Sequence, residues 1–239
     1  MSHSGDRFTD DELENKRLPA CFSYVTWQLL SLEDAMKELQ DVLIETNRFV
    51  EEAKKHCLYP NEHNLTKDES AAIYMYTMEM SHAPCIYRIL NESLRLEDRT
   101  KMLPWFGYLK LLDSATSKLP NFIGIVWRGI AEDVTMRFKT GGKITWWSIN
   151  SCSTSIDVIS SLLTEPSSST LLCIKCLNGK SISSYRCNPI EDEVILMPGA
   201  KFIVVADTLS FNDGLNIIHL EEINDDDDDY KESKEEESL

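Results

Sequence analysis

Pro120 divides this sequence into two stretches whose apolar residues keep different periods, so no single kind of regular element serves both. Before it, Leu32, Ala35, Met36, Leu39, Val42, Leu43 and Val50 recur at three- and four-residue steps, and Ser31 followed by Asp34 supplies an N-cap with an acid in the first turn. The spacing predicts one amphipathic helix of about six turns from Ser31 to Lys55. Tyr59-Pro60-Asn61 breaks it, and Thr66 with Glu69 forms a capping box ahead of Ala72, Ile73, Tyr76 and Met80. A third candidate helix runs from Cys85 to Arg95. A fourth starts near Thr100, tolerates Pro104 in its first turn and continues through Leu109 and Leu112 toward Leu119.

After Pro120 the apolar residues turn β-branched and aromatic and come in short runs: 122–127, 143–149, 170–177, 193–197, 201–209 and 216–223. Turn chemistry separates them, at Gly141-Gly142, Pro166, Asn178-Gly179, Pro198-Gly199 and Asn212-Asp213-Gly214. Helices followed by strands argue an α+β fold and not an alternating α/β one, and no internal repeat or dinucleotide-binding glycine fingerprint speaks against it. The expected organisation is a mobile acidic leader over 1–20, a helical part over 21–119, a β-rich part over 120–223 and a disordered acidic tail over 224–239.

Charge narrows the function. The chain carries a formal −16, and residues 221–239 alone hold 11 acids and 2 bases. Such a surface repels phosphate backbones and anionic bilayers, so neither nucleic acid nor membrane is expected as a partner, while the tail could engage a basic protein. No apolar run reaches the roughly 18 to 20 residues of a bilayer span, and Met1 to Asp11 has no signal-peptide pattern. Seven cysteines, an odd number scattered through apolar segments, suit reduced thiols. A cytoplasmic location is the expectation. Cys173 and Cys176 lie three apart in an apparent strand and so point to opposite faces, and the five histidines form no ligand pair. No metal site is expected. Trp146 and Trp147 alternate along a strand, so one walls a pocket while the other packs inside, or both pack in core on opposite faces.

Three places combine reactive polar residues with strand context: Trp127-Arg128-Gly129, Ser153-Thr154-Ser155 and Glu191-Asp192-Glu193-Val194. Each alone has an ordinary explanation as a surface ion-pair residue, a turn or a solvated edge. In this order and with their flanks, including Val194-Ile195-Leu196, Pro198-Gly199 and Phe202-Ile203-Val204, the three resemble the arginine, serine, glutamate signature of the mono-ADP-ribosyltransferases related to cholera toxin and the clostridial binary toxins. The Glu191-x-Glu193 form looks like the arginine-modifying branch. The helical stretch, with Thr66 to Tyr76 and Pro104 to Leu112, looks like the N-terminal part of the eukaryotic arginine-specific enzymes.

The resemblance implies a helical part packed on a mixed β-sandwich, NAD as co-substrate without a metal, and a protein substrate with an exposed arginine. It gives Glu193 the ribose of NAD and the positive charge that develops there when nicotinamide leaves. Arg128, whose planar fork suits phosphate oxygens, would clamp the pyrophosphate. Ser153 has no histidine base beside it in the sequence, so orienting Glu193 and the ribose suits it better than nucleophilic attack. Gly129, Thr154 and Ser155 complete the cofactor-binding set. If 191–193 is extended, Glu191 shares a face with Glu193 and can take the acceptor guanidinium as a general base. Tyr185, on the loop before them, is either an exposed contact for the target or an ordinary packing residue. Two rivals share much of this pattern: an NAD glycohydrolase, in which water is the acceptor, and a catalytically inert binding module.

Overall fold

The computed structural model describes residues 6–9, 23–40, 43, 45–79, 85–163, 168–187, 192–206, 208–210 and 215–224. Among the described residues five α-helices come first: α1 (Leu32–Met36), α2 (Thr46–His56), α3 (Lys67–Tyr76), α4 (Ile86–Leu94) and α5 (Phe106–Ser117). Strands follow: β1 (Asn121–Ile130), β2 (Lys143–Trp146), β3 (Asn150–Ser153), β4 (Thr170–Ser181), β5 (Glu193–Leu196), β6 (Ala200–Val204), β7 (Leu209–Ser210) and β8 (Asn216–Ile223), with α6 (Ile156–Leu162) between β3 and β4. Among the described residues no helix is long and apolar enough to cross a membrane.

The helix starts obey local chemistry. Ser31 Oγ accepts from the Asp34 amide at 3.1 Å, capping α1. At α3 the Thr66 hydroxyl accepts from the Glu69 amide while Glu69 accepts from the Thr66 amide, a complete capping box. The single helix expected from Ser31 to Lys55 is instead two. A 3₁₀ turn over Lys37–Leu39 ends α1, and Glu45, at φ 62°, sits in the left-handed region directly before α2. The apolar period survives the break because each short piece still buries its own members: Leu32, Ala35, Met36 and Leu39 in one, Phe49, Val50 and Ala53 in the other. At the fourth helix Pro104 falls inside a 3₁₀ stretch, Arg99–Trp105, and the α-helix begins only after it.

α5 is buried nearly all round, through Phe106, Tyr108, Leu109, Leu111, Leu112 and Ala115. It crosses α1 so closely that a Cβ on Gly107 would lie 3.1 Å from the Ala35 Cα. Glu69 ties α3 to α5, accepting from Ser114 Oγ at 2.7 Å and Lys118 Nζ at 2.6 Å.

β1 pairs antiparallel with β4 from Asn121 opposite Lys180 to Ile130 opposite Thr170. Its Trp127 also pairs with Ser153 of β3, β3 pairs with β5, and the end of β4 pairs with β5. These strands therefore close a hydrogen-bonded circuit, β1–β3–β5–β4, from which β8, β6 and β2 continue beyond β4. Inside lies an apolar core that includes Val126, Ile130, Cys152, Ile174, Val194, Phe202 and Leu220. The other faces of β3 and β5 meet the helices: Ile149, Ile182, Tyr185 and Ile195 share one cluster with α1 to α5. Asn91 of α4 clasps the chain there, donating to the Ile149 carbonyl at 2.9 Å and accepting from its amide at 3.0 Å.

The leader expected to be mobile departs from that expectation at Asp6–Phe8, which forms a 3₁₀ turn with Arg7 and Phe8 buried. The acidic tail lies outside the described residues from 225 onward.

Burial alone would raise the Glu69 carboxyl pKa, but hydrogen bonds from Lys118, the Thr66 amide and Ser114 outweigh it and hold it below the ordinary carboxylate value. A depressed folded-state pKa contributes stability that is present above the unfolded value and lost as pH falls through the folded one. Glu69→Gln should therefore destabilise the protein by about 2 kcal/mol at neutral pH, with the deficit narrowing as pH drops below about 4. Urea denaturation of both proteins across that range measures it.

Candidate active site

Register brings the three sequence signals together. Trp127, Ser153 and Glu193 lie in line across β1, β3 and β5. Directly opposed residues point to one side of a sheet, so Ser153 and Glu193 share a face, and Arg128 follows Trp127 immediately. All three predicted residues are closed off from solvent: Arg128 is 1% exposed, Ser153 and Glu193 0%.

A guanidinium covers Glu193. Arg7 Nε donates to both Glu193 carboxylate oxygens, at 3.0 and 3.1 Å, and its Nη2 donates to Oε2 at 3.0 Å. Its Nη1 reaches Glu79, just past α3, at 3.4 Å. Arg128 Nη1 donates to two carbonyls, those of Ser151 and Arg7, each at 2.8 Å. Buried charges demand such pairing, since either partner left alone would carry its whole desolvation cost.

The remaining predicted residues support this centre. Ser153 Oγ accepts from the Ser155 amide at 3.0 Å, which leaves its hydroxyl hydrogen to donate on the face shared with Glu193. Ser155 stands at the N-cap of α6, and the Thr154 amide donates to the Asp192 carbonyl at 3.3 Å. Gly129 lets α6 come close: a Cβ there would lie 3.0 Å from Leu163, 3.1 Å from Ile159 and 3.2 Å from Thr9. Glu191 lies outside the described residues.

Tyr185 is not the exposed contact that was one of its two expected roles. It is 1% exposed in the helical core, its hydroxyl 2.6 Å from His63 Nδ1. Its ring packs in the core while the hydroxyl keeps polar partners, His63 and, at 3.5 Å, the Asn61 side-chain oxygen. Of the two tryptophans, Trp146 packs inside on Phe202, ring centroids 4.5 Å apart, while Trp147 lies against the Arg99 guanidinium at 5.6 Å. Cys173 and Cys176 lie within β4, and among the described residues no group of His, Cys, Asp and Glu is placed to hold a metal ion.

Several residues around the site belong to no motif of the sequence. Ser151 precedes Ser153 by two, so the strand period places both on one face, and its Oγ lies 3.2 Å from the Tyr76 hydroxyl. Burial and then the nearby Glu193 charge push the Tyr76 phenol well up, keeping it protonated. Cys152 faces the opposite side, and burial pushes its thiol up to about 12. Arg7 is the sole Arg or Lys in residues 1–15 and precedes an aromatic residue, a cue visible only in retrospect. A separate hollow of about 240 Å³, lined by residues such as Met197, Pro198, Gly199 and Glu222, contains none of the predicted site residues.

The family model for NAD:arginine ADP-ribosyltransferases matches residues 23–228. Mav of Mycobacterium avium, named as an NAD(+)–arginine ADP-ribosyltransferase, is 31% identical over 160 residues, 66% of this chain, and the chain spans 18% of that relative's length. Vis toxin, an ADP-ribosyltransferase from Vibrio splendidus solved also in complex with agmatine, superposes with a TM-score of 0.56 at 19% identity, covering 86% of this chain and 92% of its own. The ADP-ribosyltransferase HopU1 of Pseudomonas syringae gives 0.55 at 24% identity, covering 82% and 89%. The fold, helices with a β-sheet core, is thus that of ADP-ribosyltransferases.

Arg128→Lys tests the structural half of the site. An ammonium cannot reproduce the fixed fork, so one buried carbonyl loses its donor, and stability should fall by about 2 kcal/mol in chemical denaturation.

Proposed function

Because this chain belongs to the NAD:arginine ADP-ribosyltransferase family, we propose that it transfers one ADP-ribose from NAD to arginine side chains of a protein, releasing nicotinamide. The observation that carries the proposal is a buried carboxylate, Glu193, that holds a cation with both oxygens. Breaking the bond from nicotinamide to ribose develops positive charge on the sugar, and a pre-placed, water-shielded carboxylate is what that charge requires. The residues present therefore fit NAD.

Glu193 holds the ribose and faces the charge. Its position is fixed from behind, as its carbonyl accepts from the Ile182 amide at 3.0 Å and its strand pairs with β3. Arg128 binds the pyrophosphate; a group that already donates to two carbonyl oxygens at 2.8 Å is oriented to donate to phosphate oxygens. Ser153 donates toward Glu193 or the ribose, with Gly129, Thr154 and Ser155 forming the surrounding wall. Glu191, two residues before Glu193, receives the acceptor guanidinium and takes its proton.

Agmatine, found with Vis toxin, is itself a guanidinium compound, which supports an arginine acceptor here. We also infer that the helical part, 21–119, packs on a mixed β-sandwich formed by the β-rich part, 120–223, supported by their shared apolar cluster and the Asn91 clasp on Ile149. A cytoplasmic setting agrees with free thiols at all six described cysteines. The acidic tail remains open to a basic protein partner, with nucleic acid and membrane disfavoured by charge.

Glu193→Gln should cut both transfer and NAD hydrolysis by about a hundredfold or more, on the order of 3 kcal/mol of barrier, with the far-ultraviolet circular dichroism unchanged. Normal turnover in the variant would end the assignment. Glu191→Gln should preserve hydrolysis and depress transfer, read as the ratio of nicotinamide released to ADP-ribose bound on an arginine-rich protein. An equal fall in both products would place Glu191 in the shared bond-breaking step and remove its acceptor role.

A further inference from the structure

The chain covers Glu193 with its own residues 6–9. We propose that Asp6-Arg7-Phe8-Thr9 is a built-in competitor of NAD, recognised as an arginine followed by an aromatic; this rests on the NAD-site reading above. Two subsites receive it. Arg7, 2% exposed, enters the polar one, where Glu193 takes Nε and Nη2 and Glu79 takes Nη1. Phe8, 0% exposed, enters an apolar one formed with Ile159 and Leu163 of the α6 region and Leu171 of β4.

Competition follows from shared atoms. The two groups given to NAD, the Glu193 carboxylate and the Arg128 fork, are the two that Arg7 engages, the first through its guanidinium and the second through its carbonyl oxygen. With Arg7 in place Glu193 is 0% exposed, so the guanidinium fills the space that a ribose hydroxyl would need to reach the carboxylate. The segment is also seated closely, since a Cβ on Gly129 would come within 3.2 Å of Thr9. It is tethered to the same chain and so acts at a high effective concentration without a second molecule. The observed NAD affinity is then the intrinsic one multiplied by the fraction of molecules in which the segment has left.

Glu79 has a corresponding part. It lies three residues beyond the end of α3, is partly solvent-exposed and grips the outer end of the guanidinium, so the helical part of the chain contributes to holding the segment. Phe8 supplies the other anchor and carries no charge, which allows the anchor to be removed while every ionic group of the cleft stays in place.

The experiment has two readouts on the full-length chain. Calorimetric titration with NAD compares wild type with Arg7→Ala and with Phe8→Ala; both variants should bind NAD about tenfold more tightly or better. Tryptic cleavage of the Arg7–Phe8 bond, followed by mass spectrometry, reports the segment directly. It should be slow in wild type, faster on adding saturating NAD, and fast without NAD in Glu193→Gln, which loosens the grip on Arg7. Equal NAD affinity in all three proteins, with the Arg7–Phe8 bond cut equally fast in wild type and Glu193→Gln, would overturn the competitor while leaving the NAD site standing. Protection released by Glu193→Gln but unaffected by NAD, with none of the proteins binding NAD, would overturn the NAD site, and with it the competition, while the segment's seat in the cleft is confirmed.

Discussion

The double pairing of β1 is the constraint on which the rest depends. A strand flanked by β4 and β3 could sit in an open sheet, but β5 pairs with β3 and also with the end of β4, so the four strands must bend round and close. The closed circuit fixes Trp127, Ser153 and Glu193 in one line. Slipping β3 by a single residue would turn Ser153 into the apolar core and Cys152 out toward Glu193. Arg128 reinforces the register, because its bond to the Ser151 carbonyl ties the side chain of one strand to the backbone of the next. Geometry at the site is thus a property of the sheet's closure more than of any loop.

The helical stretch finishes what the sheet begins. Tyr76 touches Ser151, Asn91 holds both backbone groups of Ile149, and Ile195 of β5 packs among the helices. The strand carrying Glu193 therefore has one face in each of two cores, Val194 in the sheet's and Ile195 in the helices'. That arrangement holds a carboxylate still and dry, the condition under which it acts most strongly on nearby charge. The cost is that a bare Glu193 would be intolerable in such a place, and a guanidinium meets that need.

What was legible in the sequence was local. The Ser31 cap, the Thr66–Glu69 box and five of the apolar runs that became strands rest on neighbouring residues, and the structure shows them nearly where expected. The predicted long helix from Ser31 failed because apolar spacing cannot reveal a left-handed residue at Glu45. β3, written Asn-Ser-Cys-Ser, has almost no hydrophobic content to betray a strand, and α6 is short. Arg128, Ser153 and Glu193 were legible through their order and flanks, not through any physical rule that brings them together. The pairing of Arg7 with Glu193 joins positions 186 residues apart and was beyond any reading of local pattern. Tyr185 shows the same limit: a loop position left exposure and packing both open, and a distant partner, His63, gave it a buried seat.

Cys152 lies between two serines of the site, yet its thiol points into the sheet's core and ionises only near 12. Burial keeps that thiol protonated at neutral pH, and the thiolate is the form that oxidants and electrophiles attack. The candidate site is therefore blind to redox state through its nearest sulfur. Peroxide or an alkylating reagent at moderate dose meets Cys187 on the surface long before it meets the residue beside Ser153.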